Sequence, residues 1–195
     1  AHWLIDNTAS LYSVNNLTRY LKSLGHTVPK AAVSDYLGWF EDAYFLFTVR
    51  IFDASLARSN TNPKKIYCVD HALVTSVSSG ILTNSGHLLE NLTHTALRRL
   101  YPEIYYYRTT SGREVDFIVP TRGPGRLLIQ VCESLAEPQT KKREVAALSE
   151  AMVELNLKSG TIVTRNEDEL IRTSAGSIKV VPAWRYLLDL PGWTE

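Results

Sequence analysis

The stretch GREVDFIVPTRGPGRLLIQVC, residues 112–132, limits the folds open to this chain more than any other. Two apolar-rich runs, 114–119 and 126–132, flank Thr121, Arg122, Gly123, Pro124 and Gly125. Glycine and proline supply the backbone freedom and the break that a turn needs, so the stretch reads as a β-hairpin. Asp116 stands between Val115 and Phe117, inside a run that should be half buried. A carboxylate there is costly unless it is paired or holds a cation. Side chains two apart on a strand share a face, so Gln130 and Cys132 point the same way. Pairing of the two strands lays that face beside Asp116.

Upstream, Leu17, Tyr20, Leu21 and Leu24 follow helical spacing, with Asn15 or Asn16 as the N-cap and Gly25 closing the helix. Thr27 can cap and Pro29 can open a second helix over 29–44, striped by Val33, Leu37, Phe40 and Tyr44. A β pattern follows at 45–52, then a polar loop at 53–63 and a strand at 64–69. Two helices joined by a short glycine-containing turn and followed by a hairpin make a winged helix-turn-helix arrangement. On that reading the second helix offers Thr27, Lys30 and Ser34 to a DNA groove, and the wing sets Arg58, Lys64 and Lys65 near phosphates. Asp35, Glu41 and Asp42 on or near the same helix oppose phosphate, and packing against a neighbouring domain is the competing use.

Beyond residue 70 the spacing predicts helices over 71–79 and 87–101, the second buried through Leu88, Leu89, Leu92, Ala96 and Leu100, with Glu90 near its start. A carboxylate in a first turn suits the helix dipole. A strand over 103–109 leads into the hairpin. A helix over 138–156 follows, with Lys141, Lys142 and Arg143 in its first turns, then strands at 161–164 and 178–181 and a closing helix at 182–188. The strand–helix–strand unit after the hairpin predicts a parallel pair. The expected organisation is a small segment at 1–69 and an α/β domain at 70–195.

An Asp, a turn, and a second strand carrying a Glu/Gln-x-Lys pair is the core of the PD-(D/E)XK nuclease superfamily, which this stretch resembles. The chain also resembles the C-terminal region of a bacterial and archaeal family of AAA+-type P-loop ATPases, where a winged-helix segment precedes a nuclease-like domain of unknown function. The residues carrying the likeness are Leu88 to Asn91, Tyr105 to Arg108, Ser111 to Phe117, Ile129 to Cys132, and Arg143 with Glu144. The resemblance implies a restriction-endonuclease-like αβββαβ core. It puts Glu90 on the first core helix facing a metal, with Asp116, Glu90 and Gln130 as oxygen ligands of Mg²⁺ or Mn²⁺. Glu114 is an outlying candidate. The superfamily's lysine orients the attacking water and counters developing charge, but here that position holds Cys132, which carries no positive charge. Lys141, Lys142 or Arg143 are the candidates to replace it, and they also rim the cleft where DNA would lie.

Composition narrows the partners. With 21 basic and 20 acidic residues in 195, no global field draws the chain to nucleic acid, and DNA binding needs a local patch. Two distant cysteines, Cys68 and Cys132, read as reduced thiols in a cytoplasmic protein. No apolar run approaches the ~18 residues of a membrane span, and there is no signal peptide. The start at Ala1 reads as a fragment cut at a domain boundary. No G-x-x-x-x-G-K-[ST] loop occurs, so ATP belongs to a module that the resemblance places upstream. Three uses stay open: a DNA- or partner-binding regulatory region with a degraded catalytic motif, a divalent-dependent DNA endonuclease centred on Asp116, Gln130, Glu90 and Arg143, and a structural or oligomerisation module using the aromatic surface around Trp39 and Trp193.

Overall fold

The hairpin predicted at residues 112–132 lies in the middle of a mixed sheet with nine strands among the described residues. The computed structural model describes residues 1–77, 84–123 and 125–190. Expectations that fall on 78–83, Pro124 and 191–195, Trp193 among them, lie outside the described residues.

The chain begins with helix α1 (His2–Asp6) and a two-residue strand β1 (Leu11–Tyr12), followed by α2 (Val14–Ser23) and α3 (Lys30–Asp42). Ser13 caps α2 by accepting from the Asn16 N–H at 3.1 Å, which puts the cap two to three residues ahead of the predicted one. Then come β2 (Leu46–Ile51), α4 (Leu56–Thr61), β3 (Lys64–Cys68) and α5 (His71–Val77). The polar loop predicted between β2 and β3 thus contains a short helix, capped by Ser55. Next are α6 (Ser85–Arg98), β4 (Tyr105–Arg108), β5 (Glu114–Pro120), β6 (Arg126–Val131), α7 (Pro138–Glu154), β7 (Ser159–Thr164), β8 (Glu169–Arg172), β9 (Ser177–Pro182) and α8 (Ala183–Leu188). Asn84 caps α6 through the Gly86 N–H, and Pro138 opens α7, where a missing N–H costs nothing.

The sheet order is β1-β3-β2-β4-β5-β6-β7-β9-β8. β4, β5 and β6 are antiparallel neighbours, and β6, β7 and β9 run parallel. β2 pairs in parallel with β4 through Arg50–Tyr105 and Ile51–Tyr106. Strands on both sides of the expected division at 69/70 therefore belong to one sheet. Its apolar packing crosses that point too: Val49 and Tyr67 share a core with Leu97, Phe117 and Ile129. α6 and α8 pack with this core, and α7 covers a second one built on Val115, Ile118, Leu148, Met152 and Ile162. A third core, with Leu17, Val33, Leu37, Ile66 and Cys68, lies under the first helices. No helix among the described residues is long and apolar enough to cross a membrane, and both cysteines are free and buried.

Gly176 closes the β8–β9 turn with φ +150°, and a Cβ there would stand 2.1 Å from the Lys158 carbonyl oxygen. Neither backbone can yield without breaking the β7–β9 edge, so Gly176→Ala should cost roughly 2–4 kcal/mol. Gly38 sits inside α3 with nothing within 4 Å of its would-be Cβ. Gly38→Ala should stabilise by about 0.5–1 kcal/mol on helix propensity alone. Urea midpoints of the two variants check both signs.

Candidate carboxylate–lysine site

Asp116 and Gln130 meet where β5 and β6 part. Backbone pairing runs from Pro120–Arg126 to Phe117–Ile129 and then yields to side chains. The Asp116 N–H donates to Gln130 Oε1 at 3.2 Å, and the Val131 N–H donates to Asp116 Oδ2 at 2.9 Å. Each side chain thus stands in for a strand carbonyl, which satisfies buried backbone donors while the strands splay. On the other side β5 carries an irregularity against β4, between Tyr105 and Tyr107.

The other oxygen, Asp116 Oδ1, accepts from Lys65 Nζ at 2.8 Å. Lys65 lies on β3 and is 2% exposed. The same Nζ reaches Glu90 Oε1 at 2.8 Å and Glu114 Oε1 at 2.9 Å. An ammonium has three donors; here two are hydrogen-bonded, to Glu90 and Asp116, and the third carboxylate, Glu114, is paired with it by charge. Tyr67, two residues along β3 and therefore on the same face, donates its hydroxyl to Glu90 Oε1 at 2.7 Å. Burial alone would push Lys65 down, but the charges of Asp116, Glu90 and Glu114 reverse this and hold its pKa well above the ordinary lysine value. Burial, reinforced by the Asp116 charge and opposed by Lys65, pushes Glu90 up to about 8.

A second chain of bonds leads away from Gln130. Its Nε2 donates to Glu144 Oε2 at 2.8 Å, and Arg143 donates through Nε and Nη2 to Glu144 Oε1 at 2.9 and 2.6 Å. A cleft of about 460 Å³ opens onto Lys65, His87, Glu90, Glu114, Asp116 and Arg143. Cys132 lines the adjoining cavity. Burial, with Glu144 adding to it, pushes its thiol up to about 12, so it is neutral at physiological pH.

The structure brings together Asp116, Gln130 and Glu90, with Arg143 connected through Glu144. It places Lys65 differently from the wing reading: this side chain is the buried cation of the cluster, paired with three carboxylates and turned away from any phosphate on the surface. Lys141 is bonded to both oxygens of Glu169, at 2.6 and 2.8 Å, and reaches neither Asp116 nor Glu90. Lys30, Ser34 and Lys142 are exposed, and Lys64 is half buried. Arg58 pairs with Asp53 at 3.1 Å. Sequence reasoning assigned no role to Tyr67 or Glu144 and set Lys65 in the wrong surroundings. Lys65 and Tyr67 alternate with apolar Ile66 and Cys68, and a lysine on a strand with no polar face was the available signal.

Glu90, Asp116 and Gln130 as folded do not fit a divalent cation. The point on which the carboxylates converge is filled by Nζ, and the Gln130 amide oxygen already accepts from Asp116 N–H. Among the described residues no three His, Cys, Asp or Glu side chains are grouped so as to hold a metal ion.

The fold and site define a mixed α/β domain with an ion cluster buried at the splayed end of a hairpin. Residues 85–186, from the start of α6 into α8, match the profile of the family described as Domain of unknown function (DUF4143), and the chain belongs to that family. It is also similar to the uncharacterized protein MJ1544 of Methanocaldococcus jannaschii, at 30% identity over 194 residues. That alignment takes in 95% of this chain and 42% of the relative, so the chain spans less than half the length of the protein it matches. No solved structure matches it.

Proposed function

We propose that this chain is the C-terminal binding and regulatory region of a P-loop ATPase, with a winged-helix segment at its start and a nuclease-like core whose catalytic motif is degraded. Several observations support the reading. The elements from α6 to β7 run α, β, β, β, α, β, and the sheet order β4-β5-β6-β7 suits the αβββαβ core. Asp116 and Gln130 oppose one another at the splayed hairpin, as a motif of that kind requires. The relative is more than twice as long as the region matched, which leaves room for an upstream module.

The observation that carries the non-catalytic half is the state of the motif side chains. Asp116 is bonded to Lys65 and Val131, and Gln130 to Asp116 and Glu144. Cys132 stands where a cation is needed and is neutral. Electrostatic groups at a reacting phosphate are each worth roughly 3–4 kcal/mol, so losing a carboxylate ligand and a lysine removes most of the rate. What remains is recognition. Exposed Lys30, Ser34 and Lys142 are the groups offered to a DNA backbone, and a protein partner is the other occupant.

The test combines cleavage and gel shift. Plasmid and linear DNA are incubated with the chain and with Asp116→Ala in Mg²⁺ and in Mn²⁺. The expected result is no divalent-dependent cleavage by either protein, with a DNA shift at low salt that weakens as salt rises. Cleavage that disappears in Asp116→Ala would restore the endonuclease. Absence of any shift at low salt would remove DNA and leave the partner protein.

A further inference from the structure

We infer that Lys65 is a built-in occupant of the cation position: the chain carries its own cation into the carboxylate cluster and thereby excludes divalent metal, and removing the ammonium uncovers a site for a hard divalent ion. The inference rests on the nuclease-like reading of the core and extends it to the reason the site is silent. Glu90 comes from α6, Glu114 and Asp116 from β5, and the cation from β3. Their oxygens stand 2.8, 2.9 and 2.8 Å from one nitrogen. Metal–oxygen distances are about 2.0–2.6 Å, so the three oxygens need to move inward by roughly 0.2–0.9 Å, the most for the smallest ion, to close on a metal. A divalent ion entering beside the ammonium would face a like charge within hydrogen-bonding range and would find Gln130 occupied.

Lys65 cannot simply withdraw. Its backbone is held on both sides of β3, opposite Leu11 on β1 and opposite Val49 on β2. Swinging the side chain out would strip the ammonium's hydrogen bonds from the buried Glu90 and Asp116 oxygens. The ammonium is therefore a fixed part of the fold and not a gate. This separates the chain from a site that is merely weak: three carboxylates share one ammonium, and a metal would have to draw them together once it has gone.

The experiment is a calorimetric titration of the chain with Mn²⁺, without DNA, set beside Lys65→Met and the double variant Lys65→Met/Glu90→Gln. Thermal unfolding of each is recorded with and without millimolar Mn²⁺. The native chain should show no saturable binding that depends on Asp116. Lys65→Met should bind one Mn²⁺ at least ~10-fold more tightly than the native chain and should gain thermal stability from it, as any ligand specific to the folded state confers. Adding Asp116→Asn to Lys65→Met should abolish the gain. The double variant, with one fewer carboxylate to repel, should fold more readily and bind more weakly.

Mn²⁺ binding by the native chain that is lost in Asp116→Asn would overturn the inference. So would folded Lys65→Met that ignores Mn²⁺. A Lys65→Met chain that stays unfolded even in Mn²⁺ counts against it as well, since an ion able to replace the ammonium would restore the fold. The functional proposal fails on the DNA assays, with no bearing on these titrations. A native chain that both binds Mn²⁺ and cleaves DNA would sink the two together.

Discussion

Lys65→Met is expected to lower the unfolding free energy by about 3–5 kcal/mol in the absence of added metal, the range found when one partner of a buried ion pair is removed. The side chain is 2% exposed and its nitrogen is the common partner of three carboxylates. Methionine keeps most of the volume and loses the charge, so the effect is electrostatic and not a cavity. Without the ammonium, Glu90 and Asp116 face each other in a buried space with no cation between them. For a chain of this size the loss corresponds to a fall in Tm of roughly 6–20 °C. Two features identify the cause. The deficit should be smaller at pH 5, where Glu90 holds its proton, than at pH 8, where Glu90 carries charge beside the ammonium. Asp116→Asn added to Lys65→Met should cost less than it does in the native background, because the two residues are coupled. Equal and additive losses in both backgrounds at both pH values would show that Lys65 stabilises by packing alone.

The placement of Lys65 also measures what the sequence could and could not tell. The opposition of Asp116 and Gln130 was legible because a hairpin with a short turn has a fixed period of two, and both residues interrupt an apolar run. Glu90 on α6 followed from the resemblance and from its place in the first turns of a periodic helix. Lys65 was read as a wing residue because Lys64 and Lys65 adjoin a polar loop and the nearest pattern was local. Its true partners are 25, 49 and 51 residues away (Glu90, Glu114 and Asp116). They are reached only because β2 pairs in parallel with β4 and brings β3 into the same sheet. No turn residue or periodicity encodes that crossover. β8 escaped for a different reason: it is an edge strand with exposed Leu170 and Arg172, and it lacks the buried apolar run that betrayed β7 and β9. α4 was hidden because Leu56–Thr61 is polar and short, and its one buried residue is Ser59.

The exposed aromatic surface predicted around Trp39 is partly real. Trp39 is 61% exposed and packs edge-on against Tyr36. Phe40 and Phe45 turn inward against each other at the edge of the first helices' core, and Phe47 is buried. The helical stripe read from the sequence therefore divides between packing and surface, because α3 buries only Val33 and Leu37 completely.

Stability of the native chain should fall as pH rises from about 6 to about 8, by on the order of 2 kcal/mol, and Glu90→Gln should flatten that limb. The sign follows from the proton count. Burial and the neighbouring Asp116 charge push folded Glu90 up to about 8, against a reference of 4.5 in the unfolded chain. The folded state therefore holds a proton that the unfolded state releases. That contribution is complete below the unfolded value and disappears as pH climbs through about 8. Lys65 does not produce the slope: its folded pKa is raised, so its contribution is constant below the unfolded lysine value of 10.5. Cys132, pushed up to about 12 from 9.0, acts only above the window. His94 slopes the other way. Burial, aided by Arg98, lowers it to about 3, and it stacks on Tyr67 with ring centroids 4.1 Å apart. Its contribution is present above 6.5 and is lost as pH falls toward 3, so the chain should be most stable in the mildly acidic range between the two limbs. The measurement is the urea midpoint of the native chain and of Glu90→Gln at half-unit steps from pH 5 to 8.5, read as the difference between the two curves. A difference that stays constant across the range would mean that Glu90 is ionised throughout, with Lys65 outweighing the burial that raises it.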